Sequence, residues 1–207
     1  GPLVARWGGR LAVAAVNSPV SVVVSGEPAA VGELIGACAV EEVSARLLAV
    51  DYASHSVQVE GARGDLAAAL AGIVPGAGSV PFYSGLAGGR LDGTVLDGGY
   101  WYDSLRGQVR FDEVVRALAA DGHGVFVEVS PHPVLTVPVT EVLEDGGQPG
   151  AVTGTLCRDD GGPERFAQAA AAAWAAGLPV DWQALTGPAP RAELPGYAFE
   201  RQRYWLA

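Results

Sequence analysis

The 207-residue sequence predicts an α/β fold. Three observations carry it. Short valine-rich runs recur along the chain, stretches with apolar residues at helical spacing alternate with them, and Gly/Pro clusters punctuate the two. An apolar fraction of 49% suffices for a core and excludes general disorder.

The elements follow in order. Residues 11–16 read as a strand, Asn17-Ser18-Pro19 as a turn and residues 20–25 as a second strand, so the pair predicts an antiparallel hairpin. Ser25-Gly26-Glu27-Pro28 opens a helix, with Ser25 as expected N-cap and proline in the first turn. Val31, Leu34, Ile35 and Cys38 share one face of it. Residues 45–50 read as a third strand, running into Asp51-Tyr52-Ala53-Ser54-His55-Ser56. A helix over 57–71, with Leu66, Leu70 and Ile73 on one side, is closed by Pro75-Gly76-Ala77-Gly78. Residues 80–84 form a short strand and 85–99 a glycine-rich loop. Helices follow over 100–105 and 111–121, the second carrying Val114, Val115 and Leu118. Residues 125–129 read as a buried strand ended by Ser130-Pro131-His132-Pro133, and 134–143 as a helix despite Pro138. After a linker-like 145–150 come a strand at 152–156, a polar loop and an alanine-rich helix over 164–176. The tail from Leu194 to Leu206 is rich in aromatics, with one proline and two arginines, a composition that docks on something.

Charge narrows the function classes. All 13 basic residues are arginine and the formal net charge is −10, which argues against a nucleic-acid or membrane-surface binder. No apolar run reaches the ~20 residues of a membrane span. Cys38 and Cys157 are too few for a disulfide framework or a cysteine metal cluster and fit reduced thiols in a cytoplasmic protein. Without lysine there is no Walker-type phosphate loop. The three histidines show neither i, i+4 nor His-x-His spacing, so no metal site is expected.

Each histidine has a bland and a sharp meaning. By position alone a lone imidazole such as His55 is more often a capping or loop residue than a general base. His123, between glycines, reads as a solvent-facing turn. His132, between prolines, fits a pocket rim or simple rigidity equally. No Gly-x-Ser-x-Gly turn occurs anywhere in the sequence to supply a nucleophile.

The motif Asp51-Tyr52-Ala53-Ser54-His55-Ser56 resembles the surroundings of the catalytic histidine in acyltransferase domains of modular type I polyketide synthases. Val13-Ala14-Ala15-Val16-Asn17 with Ser21-Val22-Val23-Val24-Ser25-Gly26 resembles their ferredoxin-like small subdomain. Val80-Pro81-Phe82-Tyr83-Ser84, Tyr100-Trp101-Tyr102-Asp103-Ser104-Leu105-Arg106 and the segment from Phe126 to Leu135 resemble their large subdomain. The tail is similar to the linker that follows such domains.

The resemblance implies an α/β architecture in three parts. Residues 1–56 would be a ferredoxin-like small subdomain incomplete at its N-terminus. Residues 57–144 would be the C-terminal part of an α/β-hydrolase-like large subdomain, and 145–207 an extended post-acyltransferase linker. It also implies loading of a methylmalonyl extender from coenzyme A, through an acyl-serine, onto the phosphopantetheine of an acyl carrier protein. His55 would be the base and the Ser104 main-chain carbonyl its orienting group. Tyr52 and Ser54 would line the substrate pocket, since serine in place of the phenylalanine of the malonyl-type His-Ala-Phe-His motif leaves room for an α-methyl group. No cofactor would be bound by the chain itself. The expected partners are the remaining N-terminal half of the acyltransferase, the ketosynthase and the carrier protein, with no nucleic acid and no membrane. In that family the nucleophile elbow, a carboxylate-binding arginine and an oxyanion glutamine lie upstream of this region, so the 207 residues alone are expected neither to fold cooperatively nor to transfer acyl groups. A non-catalytic scaffold within the synthase and, more weakly, a Ser-His hydrolase are the rival expectations.

Overall fold

The computed structural model describes residues 2–188, 193 and 195–199. A short helix α1 (Pro2–Ala5) precedes the hairpin of β1 (Leu11–Ser18) and β2 (Ser21–Gly26), which pairs antiparallel as its sequence predicts. The ladder slips by one residue between Val13 and Ala15 and again between Val16 and Ser18, irregularities that bend a strand and increase its twist. β1 runs on into the expected turn, and Ser18 ends it fully buried, donating its hydroxyl proton to Glu141.

Helix α2 (Pro28–Val40) follows with proline in its first turn. Its N-cap is Glu27, not Ser25. Ser25 is still in the β2 ladder, and its hydroxyl is used elsewhere. Ala30, Leu34 and Cys38 of α2 and Leu11 of β1 form one small core, covered by Leu3, Val4, Trp7, Val24 and Val31.

The expected third strand at 45–50 does not form. Residues 43–48 are irregular chain with Val43, Leu47, Leu48 and Val50 exposed, and none of them pairs in a sheet. Strand propensity reflects packing on a pleated, half-buried surface, and here no neighbouring strand supplies one. The helix expected over 57–71 is split into a 3₁₀ turn (Val57–Ala62) and α3 (Arg63–Leu70), with Gly61 and Gly64 beside the junction.

The glycine-rich stretch is more ordered than expected. β3 (Phe82–Ser84) and β4 (Gly89–Leu91) make a hairpin, a 3₁₀ turn spans Gly93–Val95, and α4 (Gly98–Arg106) starts on an Asp97 side-chain cap. β5 (Val109–Arg110) leaves α4 through Gly107 and pairs parallel to β1, giving the order β2-β1-β5. α5 (Phe111–Ala120) carries Val114 and Val115 inward.

β6 (Val125–Glu128) is less buried than expected, with Val127 40% and the following Val129 85% exposed. Its one ladder partner among the described residues is β7 (Ala151–Gly154), parallel to it, where the sequence leads one to expect a strand over 152–156. Between them α6 (Thr136–Asp145) tolerates Pro138 because that residue lies in the first turn, where the amide proton has no helical partner anyway. Val115 of α5 and Val139, Val142 and Leu143 of α6 make the second core, with Phe126 and Val152 packed on it. α7 (Pro163–Ala175) and α8 (Trp182–Thr186) complete the described elements, Trp174 and Trp182 meeting edge to face. Of the aromatic tail, Leu194 and 200–206 lie outside the described residues, and Tyr197 and Phe199 are exposed.

Candidate active site

His55 lies in a loop, not at a strand end, and its backbone is left-handed with φ +60°. That region costs an L-residue about 1–2 kcal/mol, so the surroundings must hold it. They do so through the main chain on both sides of the residue. The His55 amide donates to the Leu105 carbonyl at 2.8 Å. Ser25, at the end of β2, donates its hydroxyl proton to the Ser54 carbonyl at 2.7 Å. Ser56, 2% exposed, donates to the Ala53 carbonyl at 2.7 Å and accepts from the Gln58 amide at 3.2 Å, so it closes the loop and caps the 3₁₀ turn at once. Glu60 of that turn pairs with Arg106 at 2.9 Å, fastening it to the end of α4.

The imidazole faces the C-terminus of α4. Its Nδ1 lies 2.7 Å from the Gly107 carbonyl oxygen. A carbonyl can only accept, so Nδ1 is the donor, and in the neutral ring Nε2 carries the lone pair. The orienting carbonyl is therefore that of Gly107, not of Ser104 as expected. Ser104 lies inside α4, whereas Gly107 is its C-cap with an extended backbone (φ −79°, ψ 160°), which turns its peptide out of the helical direction. The expectation that a main-chain group rather than a carboxylate faces His55 points to the right stretch of chain but misses by three residues. The signal available was the glycine itself, directly after the basic last turn of a helix.

Gly107 is also a tight spot. A Cβ there would come within 2.5 Å of Leu86 Cδ1 and 2.8 Å of the Asp103 carbonyl oxygen. Leu105 and Ser25 are the other two contacts that sequence reading missed. The sequence reads Ser25 as a helix cap, and nothing local in Leu105 marks its carbonyl.

Of the expected pocket residues, Ser54 is half-buried in the loop and Tyr52 is exposed. The loop brings both next to His55 in sequence, but the open cleft of about 770 Å³ lies elsewhere, lined by residues 75–82, Arg90 to Gly93 and Leu96. None of these is a candidate site residue. His123 stacks edge to face on Tyr83, whose phenol is pushed above its ordinary range by its hydrogen bond to Asp121. His132 contacts Cys157 and the Arg158 amide. Among the described residues no group of three or more His, Cys, Asp or Glu is placed to hold a metal ion, and no helix is long and apolar enough to cross a membrane.

The site thus offers a restrained imidazole with one nitrogen tied to a peptide oxygen and the other free to exchange a proton with a hydroxyl or thiol. Comparison with known proteins fits that chemistry. A family model described as acyl transferase domain matches residues 3–180. The spectinabilin polyketide synthase system protein NorA' of Streptomyces orinoci is 55% identical over 204 residues, which are 98% of this chain and 6% of that protein. An erythronolide synthase of Saccharopolyspora erythraea is 49% identical over 205 residues, 99% of this chain and again 6% of its own length. Among solved structures, the acyltransferase domain from module 8 of the salinomycin polyketide synthase is 51% identical with a TM-score of 0.85, covering 87% of this chain and 43% of that one. A loading acyltransferase from the avermectin modular polyketide synthase is 38% identical with a TM-score of 0.78, covering 82% and 54%.

Proposed function

Because the chain belongs to the acyl transferase domain family, we propose that it is the histidine-bearing part of an acyltransferase that loads extender units in polyketide synthesis. The observation that carries the reading is the Nδ1 contact to Gly107 at 2.7 Å, which leaves Nε2 as the available base. The sequence contains no Gly-x-Ser-x-Gly turn, so the serine comes from a segment outside these 207 residues. The chain spans under half of the salinomycin domain it matches, which leaves room for such a segment.

In the proposed reaction Nε2 takes the serine proton as the hydroxyl oxygen attacks the thioester carbonyl. The imidazolium then returns the proton to the departing coenzyme A thiolate, giving an acyl-serine. In the second half Nε2 takes the proton of a carrier-protein phosphopantetheine thiol, which attacks the acyl-serine, and returns it to the serine oxygen. The Gly107 carbonyl holds the ring and its tautomer through both halves. The remainder of the acyltransferase, the ketosynthase and the acyl carrier protein are the proposed partners, in the cytoplasm. Alone, the chain holds a base without its nucleophile and is inactive.

The proposed extender is methylmalonyl, on the strength of the Tyr52-Ala53-Ser54-His55 motif. One methyl group is worth about 1–3 kcal/mol of discrimination in such a pocket. Replacing Ser54→Phe in the complete acyltransferase should shift the kcat/KM ratio of malonyl over methylmalonyl upward by roughly 10- to 100-fold. An unchanged ratio removes Ser54 from the selectivity argument.

The function itself is tested by His55→Ala in the complete acyltransferase, followed by acyl transfer to the carrier protein. Loss of a general base lowers the rate by about 10²–10⁴-fold. Unchanged transfer would instead identify the chain as scaffold, and release of free acid in place of acyl carrier protein would identify a hydrolase.

A further inference from the structure

The Gly107 peptide that faces His55 has no side chain of its own to fix it, and glycine has the widest choice of backbone conformations. Its direction must be set by neighbours. The residues that follow it are held by β1, through the pairing of Val109 and Arg110 and through Gln108. A second support is the turn that joins β3 to β4.

That turn is fastened at both ends. Ser84, at the end of β3, is 0% exposed. Its hydroxyl oxygen accepts the Leu86 and Ala87 amides, both at 3.2 Å. With both lone pairs used, its proton goes to the Tyr100 hydroxyl oxygen of α4, 2.7 Å away. The Gly88 amide closes the turn on the Ser84 carbonyl at 2.8 Å. Arg110 grips the same turn twice. Its amide donates to the Gly85 carbonyl at 2.7 Å, and its guanidinium, paired with Glu113, donates to the Ala87 carbonyl at 3.0 Å. Leu86 sits between these fastenings, half-buried. Its Cδ1 is 2.5 Å from the place a Cβ on Gly107 would take, so the methyl lies against the bare face of the glycine. One step along, Val109 Cγ1 is 3.0 Å from the place a Cβ on Gly85 would take. Turn and strand are therefore packed together over Gly85–Leu86 and Gly107–Arg110.

We propose that Leu86 is a positioning residue for His55: held by Ser84 and Arg110, it braces Gly107 and so fixes the carbonyl that accepts from Nδ1. This rests on the reading of His55 as the base. Truncating Leu86 leaves a gap beside Gly107 into which the peptide can turn. Nδ1 then loses its acceptor, and the hydrogen bond that selects the Nδ1–H tautomer is gone. A ring protonated on Nε2 instead has no lone pair there to take the proton of a hydroxyl or thiol.

The test uses the complete acyltransferase. Leu86→Ala should lower kcat for acyl transfer by about 10- to 100-fold with KM for the acyl thioester unchanged, the cost of a misplaced reacting group. Nitrogen-15 NMR of the histidine-labelled protein, with the His55 signal identified by its loss in His55→Ala, should show the Nδ1–H tautomer in the unsubstituted protein and a rising Nε2–H share in Leu86→Ala. Leu86→Met, which keeps the volume, should restore both readouts. Arg110→Gln removes the bond to Ala87 from the outside without emptying a packed site. It should move both readouts the same way, kcat by about threefold, and it decides the matter if Leu86→Ala does not fold. Unchanged kcat in the folded variants, or a lowered kcat with the His55 tautomer unaltered, overturns the assignment. The tautomer is read without catalysis, so full transfer by His55→Ala, which removes His55 as the base, is told apart from a failure of the brace.

Discussion

His55 combines two demands that rarely coincide. In the proposed reaction it presents an imidazole nitrogen to a reacting group, and its backbone sits at φ +60°. Conformational strain of about 1–3 kcal/mol persists only where neighbouring contacts over-determine it. Here those contacts are main-chain oxygens at positions 53, 54 and 105, two of them held by Ser25 and Ser56. Ser25→Ala should release the Ser54 carbonyl at a stability cost of about 1 kcal/mol. In the complete acyltransferase it should lower kcat several-fold with KM for the acyl thioester unchanged, read by steady-state kinetics alongside a thermal melt. The motif singles out His55 in the sequence. Its partners were not legible there, because which carbonyl faces a ring depends on how a helix ends, and that is decided by Leu86 and Asp103 crowding Gly107 rather than by anything written at position 104.

Helix termini govern the elements as well. Glu128 ends β6 and caps α6. It accepts from the amides of Val134, Leu135 and Thr136 at 2.8–3.1 Å and from the Ser130 hydroxyl at 3.0 Å. Burial pushes its carboxyl up, but the amide and hydroxyl donors together hold it below the ordinary value. As pH falls the unfolded chain is therefore protonated first. The stabilisation is complete above the ordinary glutamate pKa of about 4.3 and is lost as pH drops through the lower folded value. Glu128→Gln should destabilise by about 1–3 kcal/mol near neutrality and flatten the acid limb of a melting-temperature profile. An identical acid limb would remove Glu128 as its source. Elements with their own periodicity, such as α2 and α5, were legible within a residue or two. Residues 45–50 were not, because apolar residues such as Leu47, Leu48 and Val50 make a strand only when another strand lies beside them.

At the scale of the molecule, the β1–β2 hairpin joins the two ends of the site. Ser25 of β2 reaches the Ser54 carbonyl, and β1 pairs at Ala15 and Val16 with Val109 and Arg110, two and three residues beyond Gly107. Gly26, at φ +152°, closes the hairpin against Arg10, and a Cβ there would lie 2.2 Å from the Arg10 carbonyl oxygen. Gly26→Ala should therefore cost about 1–3 kcal/mol and also depress acyl transfer in the complete acyltransferase, checked by paired denaturation and kinetic measurements. A stability loss with full activity would uncouple hairpin from site.

The short β1–β5 pairing has a mechanical meaning. From Ala15 across to Val109 and back along the chain to the Gly107 peptide, hairpin and imidazole are links in series, with no slack residue between the ladder and the oxygen on Nδ1 except Gln108, itself tied to the Val13 carbonyl at 3.1 Å. A tilt of the hairpin is consequently a displacement of the His55 ring. Whatever leans on the outer face of that ribbon acts as a hand on a lever whose short arm ends at the imidazole.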